Sequence, residues 1–177
     1  MARFIALLRG INVSGQNKIP MADLKALFQE IGYKDVVTYL QSGNVAFKTD
    51  SKTSSTKIQE TIRKKLELNV PVLTLRASEI LEASRNNPFL KDESVNPSHC
   101  YLTFLWEAPA QNLKESLTIP DKETGRFSIA EKCVYVYCPD GYGRTKINNQ
   151  FFEKKLQVCA TTRNWKTVSA LCGLAEQ

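Results

Sequence analysis

The richest chemistry in the sequence lies in Arg9-Gly10-Ile11-Asn12-Val13-Ser14-Gly15-Gln16-Asn17-Lys18. Gly10 and Gly15 reproduce the G-x-x-x-x-G half of a phosphate loop. The other half fails, because Gln16-Asn17 stands where Lys followed by Ser or Thr is required. Without that lysine nothing clamps the β- and γ-phosphates, and without the hydroxyl there is no Mg²⁺ ligand, which argues against a nucleotide triphosphatase of this type. What survives is a glycine-rich turn ahead of a helix, whose backbone N–H groups and dipole attract anions. Arg9 and Lys18 add positive charge. The plain alternative is a long structured loop whose Asn and Ser side chains bond their own backbone.

Three more segments share this character. Tyr39-Leu40-Gln41-Ser42-Gly43-Asn44 joins two β-rich runs. Gly43-Asn44 suits a tight hairpin, since both residues tolerate positive φ, and Gln41 and Ser42 offer an amide and a hydroxyl. Asp140-Gly141-Tyr142-Gly143-Arg144-Thr145-Lys146, followed by Asn148-Asn149, runs from strand to helix with glycines and two cations. Thr161-Thr162-Arg163-Asn164-Trp165 runs the same way. Thr162 or Asn164 is an ordinary N-cap, whereas Arg163 is not needed for capping. Each segment also has a plain reading: a turn, a flexible connection, and a capped helix start with a solvated or salt-bridged arginine.

The four segments contain one carboxylate, Asp140. General acid–base catalysis wants His, Glu or Asp beside the reacting atom, so this set suits holding an anion better than moving protons. The ligand-binding candidates are Arg9, Asn12, Lys18, Gln41, Ser42, Asn44, Lys146, Thr162, Arg163 and Asn164, and no catalytic residue is assigned. Cysteines stand at 100, 133, 138, 159 and 172 with no C-x-x-C, and His99 is the single histidine. No zinc ligand set can be completed from these. An odd number of cysteines in apolar surroundings reads as reduced, buried thiols. No metal and no cofactor is expected.

A chain of 177 residues, 42% hydrophobic and 24% charged, is an ordinary globular composition. No apolar run approaches the ~18 residues of a membrane span, and the N-terminal apolar run stops at Arg9, too soon for a secretory signal. A cytoplasmic protein without membrane association is expected. The net charge of +6 is spread over both halves. The densest cluster, Arg63-Lys64-Lys65, shares its helix with Glu60 and Glu67 and reads as a solvated face before a phosphate track.

The elements that position the four segments follow from periodicity. Strands are expected over 3–9, 36–40, 45–47 and 72–76. In 21–31 the apolar residues Met21, Leu24, Leu27, Phe28 and Ile31 form one helical stripe. Pro20 stands at its start and Gly32 at its C-terminal cap. A polar loop covers 49–55. Thr56 with Gln59 makes a capping box for a helix to Leu68, and Ser78 opens a short helix. Segment 86–98 looks like a linker. The pattern then restarts with a strand at 99–106, a helix at 110–117, a hairpin of 126–130 with 133–138, a helix around 147–156, a strand at 158–161 and a last helix at 165–175. Each half reads β-α-β-β-α-β plus a helix. The expected fold is α+β: two tandem ferredoxin-like units with mainly antiparallel sheets, 1–86 and 99–177, joined by the linker 87–98.

The runs L-L-R-G-I-N-V-S-G-Q-N-K-I-P-M (7–21), T-Y-L-Q-S-G-N-V-A-F (38–47) and T-T-R-N-W-K-T-V (161–168) resemble the bacterial family catalogued as domain of unknown function 1697. The resemblance spans essentially the whole chain. The family's usual Gly-Gly is Ser14-Gly15 here, and its Ser-Lys is Thr145-Lys146. It implies an α/β fold with ferredoxin-like pieces and no particular activity. Arg9, Gly10, Asn12, Gly15, Gln41, Ser42, Gly43, Asn44, Lys146, Thr162, Arg163, Asn164 and Trp165 match its motifs, as candidates for a shared site or for the fold.

In a split β-α-β-β-α-β unit the first two strands run parallel and end at one sheet edge. Loop 9–18 and turn 41–44 should therefore meet in the first half, and segments 140–146 and 161–165 in the second. The leading functional reading is a binder of a small phosphate- or carboxylate-bearing molecule. A nucleic-acid module is the alternative if Tyr101, Tyr135 and Tyr137 share an open sheet face, although the dispersed charge speaks against that partner. A protein-interaction or structural role is the third.

Overall fold

Along β1 (Ala2–Leu8) every residue from Phe4 to Leu8 is buried. A strand covered on both faces reads as a continuous apolar run rather than an alternating one, and this one is central in its sheet. The computed structural model describes residues 1–50 and 55–177. It is an α+β chain of two β-α-β-β-α-β units with a C-terminal helix. By contact the chain divides into Met1–Glu82 with Ala170–Gln177, and Ala83–Ser169.

The first unit continues with α1 (Met21–Glu30), β2 (Lys34–Tyr39), β3 (Asn44–Thr49), α2 (Ser55–Leu66), β4 (Val72–Arg76) and the start of α3 (Ala77–Arg85). Its strand order is β2-β3-β1-β4, with every neighbouring pair antiparallel. Leu24, Leu27 and Phe28 of α1 and Ile58 and Ile62 of α2 pack on Phe4, Ala6, Leu8, Val45 and Phe47. Gly32 follows α1 at φ +100°, a conformation a side chain would strain.

In the second unit the order is β5 (Cys100–Leu105), α4 (Gln111–Glu115), β6 (Arg126–Ile129), β7 (Cys133–Tyr137), α5 (Asn149–Leu156), β8 (Ala160–Asn164) and the start of α6 (Trp165–Ala175). Its sheet repeats the first topology as β6-β7-β5-β8, again antiparallel throughout. Val134, Val136, Ile147, Phe152 and Leu156 form its helix-side core, with Phe127 and Phe151 packed against them. Segment 87–98 holds two short 3₁₀ turns, Pro88–Lys91 and Pro97–His99, each opened by an asparagine that caps it. Among the described residues no helix is long and apolar enough to cross a membrane.

Three local expectations change. Thr56 lies inside α2, which already includes Ser55, so it is not the N-cap; most of the expected loop 49–55 lies outside the described residues. Gly43-Asn44 is not the positive-φ pair of the hairpin. Leu40 (φ 57°) and Gly43 (φ 81°) take that conformation, and Asn44 opens β3 with its amide buried. The last strand extends to Asn164, because Thr162, Arg163 and Asn164 find register partners in Thr103, Leu102 and Tyr101. Segment 161–165 is thus strand running directly into helix, with no loop between.

All five cysteines are free thiols. Burial pushes the Cys100 and Cys133 thiols up, and that of Cys138 up to about 11. Burial keeps all three protonated and shielded around neutral pH. Thiol-specific alkylation near pH 8 should therefore spare them in the native protein, and all five should react in denaturant. Fewer than five reactive groups in denaturant without reductant would reveal a disulfide. An acid whose pKa is raised by folding loses its proton first in the unfolded state, from about pH 8.5. Stability should therefore fall as pH rises from there towards 11.

Candidate functional site

Strands β1 and β2 run parallel with β3 between them, so loop 9–20 and turn 40–43 leave the same sheet edge. The Leu8 N–H donates to Gly43 O at 2.8 Å and Arg9 N–H to Pro71 O at 2.9 Å, which ties three chain segments together. Asn12 then acts as a clamp. Its Nδ2 donates to Ile19 O at 3.0 Å and to Gln41 O at 2.8 Å, and its Oδ1 accepts from the Ile19 N–H at 2.9 Å. Asn17 Nδ2 donates to Gly10 O at 3.0 Å, and Val13 and Gln16 form a small bridge. Gly10, Asn12, Ser14, Gly15 and Asn17 all have positive φ. A loop folded this tightly needs residues that tolerate the left-handed region, and Gly and Asn are those residues.

The clamp encloses an open cleft of about 460 Å³ lined by Asn12, Gly15, Lys18, Ile19, Pro20 and Gln41. Helix α1 starts at its edge. Pro20 is the N-cap and supplies no side-chain acceptor, so the first-turn N–H groups keep their donor capacity and the positive end of the dipole. Lys18 and Gln41 are exposed. Asp23 in the first turn contributes the opposing charge. The lining contains an ammonium and two amides but no carboxylate, imidazole or thiol.

Of the first-half candidates, Asn12, Lys18 and Gln41 line the cleft, and Lys18 and Gln41 are the exposed ones. Asn12 is spent on the backbone. So is Asn44, fully buried, whose Nδ2 donates to Tyr39 O at 2.8 Å and to Ser42 Oγ at 3.0 Å. Arg9 is half-buried and does not line the cleft.

In the second unit, segments 140–146 and 160–164 are joined through Tyr142 and Asn149. Tyr142 Oη accepts the Asn149 N–H at 2.8 Å. Asn149 Oδ1 accepts the Thr162 hydroxyl at 3.0 Å, and the hydroxyls of Thr162 and Thr103 are 2.8 Å apart. Arg163 is buried. Its Nη1 donates to Thr161 Oγ1 at 2.9 Å and Thr162 O at 3.1 Å, and burial pulls its guanidinium down to about 10. It does not line the cleft at the head of α1. Asn164 Oδ1 caps α6 by accepting the Thr167 N–H at 2.8 Å.

The Lys146 donors of segment 140–146 are already engaged. Glu123, in the connection before β6, inserts its carboxylate there. Its oxygens accept the N–H groups of Gly125 at 2.7 Å and Lys146 at 2.6 Å. Burial raises the Glu123 carboxyl, but those two N–H groups, the Thr145 hydroxyl and the Thr124 N–H outweigh it and hold it below the usual carboxylate range. Lys146 Nζ donates to Asp121 O at 2.9 Å. Sequence reasoning missed Glu123. A Cβ on Gly125 would lie 2.9 Å from Glu123 Oε1, which shows how closely that backbone approaches.

The three tyrosines of the second sheet do not share an open face. Tyr135 is buried and donates to Ala83 O at 2.9 Å. Tyr101 packs on Tyr142 with centroids 4.6 Å apart, and Tyr137 lies beneath Arg126 and Phe89.

Among solved structures, the conserved bacterial protein SP0830 from Streptococcus pneumoniae matches with a TM-score of 0.71 and 21% identity, covering 98% of each chain. At that identity the likeness shows the fold alone. No functionally curated protein matches the sequence. The family model described as protein of unknown function (DUF1697) matches residues 1–135, a span that holds the whole cleft at the head of α1 and ends before segment 140–146. With most of its length matched to that model, the chain belongs to the DUF1697 family.

Proposed function

We propose that the protein binds a small phosphate- or carboxylate-bearing molecule in the cleft at the head of α1, in the cytoplasm. The observation that carries this reading is a cleft lined by Lys18 and Gln41 together with Pro20, the uncapped start of α1. A helix N-terminus and a lysine both favour negative charge. Asn12 holds loop and turn together, so the donors are placed before a ligand arrives and little ordering has to be paid on binding. Without a proton-transfer group on its walls the cleft recognises an anion and does no acid–base chemistry with its own side chains.

A panel of inorganic phosphate, nucleoside monophosphates and small dicarboxylates, screened by thermal denaturation at fixed ionic strength, tests this. A ligand at 100-fold its Kd stabilises by about 2.7 kcal/mol, or roughly 5–10 °C for a chain of this size. Lys18→Glu should weaken the best ligand about tenfold, a loss of about 1.4 kcal/mol. Equal affinity in Lys18→Glu, or no stabilising member of the panel, contradicts the reading.

A further inference from the structure

The cavity beneath segment 140–146 has a different account from the cleft at α1. It measures about 190 Å³, smaller than the ~300–1,000 Å³ of sites for whole drug-sized ligands. Three cations and two carboxylates line it: Lys122, Arg144 and Lys146 against Glu123 and Asp140. The Glu123 carboxylate is spent on backbone N–H groups, and Asp140 Oδ2 accepts the Thr124 hydroxyl at 2.6 Å. The Lys146 ammonium points to Asp121 O. Arg144 and Lys122 are left. Neither side chain makes an ion pair or hydrogen bond among the described residues, although two carboxylates line the same cavity.

Both are also placed by their backbone. The Arg144 N–H closes a turn on Gly141 O at 3.2 Å, with Gly141 at φ 88°, and Lys122 sits at φ 61° in the turn closed by Glu123 N–H on Pro120 O. A lysine in the left-handed region is strained, and the surrounding turn holds it there.

We propose that Arg144 and Lys122 form a second, separate anion site in this cavity, which takes the phosphate or carboxylate group of a small molecule. The guanidinium supplies a planar donor fork and the ammonium a point charge, the usual division of work on an oxyanion. Thr145 and Thr124 also line the wall, with hydroxyls already engaged: Thr124 donates to Asp140 Oδ2 at 2.6 Å, and Thr145 Oγ1 accepts the Ile147 N–H at 3.2 Å. Cys138 at the cavity wall stays a thiol and adds no negative charge, because burial keeps its proton on to about 11.

The test is a ¹⁵N NMR titration of the full chain with sodium phosphate and, separately, sodium acetate at constant ionic strength. The amides of Gly141, Arg144 and Thr145 and the Arg144 Nε–H should shift saturably with at least one of the two ions. The responding ion tells phosphate from carboxylate. Arg144→Gln with Lys122→Gln should weaken that response tenfold or more while leaving the denaturation midpoint unchanged; if the pair fails to fold, Arg144→Gln alone should weaken it about fivefold. Lys18→Glu should leave it intact, which separates this site from the one at α1. Non-saturating shifts, no shifts, or equal response in the Gln variants would overturn the proposal.

Discussion

Gly43→Ala should unfold the protein more readily by about 3 kcal/mol or more. Two costs combine. At φ 81° an alanine pays about 1–2 kcal/mol for the left-handed region. Its Cβ would also lie 2.6 Å from Ile11 Cδ1 and 2.8 Å from Leu8 Cβ. Those are fully buried residues at the end of β1 and the start of the loop, so they have nowhere to go. Overpacking of this kind costs about 1–3 kcal/mol. Chemical denaturation reads the sum directly. A loss below about 1 kcal/mol would mean that the shelf formed by Leu8 and Ile11 yields freely. Because Ile11 precedes the clamp residue Asn12, any residual folded Gly43→Ala should also bind ligand more weakly at the α1 cleft.

Phe47→Ala should cost about 3–5 kcal/mol. Phe47 is fully buried and meets three rings: Tyr33 at 4.3 Å, Phe28 at 5.4 Å and Phe4 at 5.8 Å between centroids. Such pairs add about 0.5–1.5 kcal/mol each beyond burial, and truncation leaves a cavity walled by β1, β3 and α1. Phe47→Leu keeps most of the volume and should cost less, about 1–2 kcal/mol. If the two variants lose the same amount, the ring contacts themselves, and not the buried volume, hold this core.

The fold was legible where burial leaves a period. The α1 stripe of Leu24, Leu27 and Phe28, the hairpin around Glu131-Lys132 and the repeated element order all follow from apolar spacing. So did the meeting of loop 9–20 with turn 40–43, because it needs only the parallel course of β1 and β2. Side-chain destinations were less legible. Asn12, Ser42 and Asn44 look like ligand donors in the sequence, yet a tight loop consumes their amides and hydroxyls internally. Arg163 looked like a cleft residue because segment 161–165 read as a loop; pairing with β5 makes it strand and turns the arginine inward. Glu123 left no periodic signal at all. Its role comes from a contact across 23 residues of chain, which only the folded topology brings about.

The start of α1 and Lys18 should receive the anionic group of the ligand. Chemical-shift mapping with the best ligand from the panel tests it most directly. Saturable shifts should concentrate on the amides of Gly15, Lys18, Met21 and Ala22 and the side-chain amide of Gln41, with the sheet amides of Ile5 to Leu7 unmoved. Shifts centred elsewhere in the first unit, with the α1 start silent at saturation, would contradict the account.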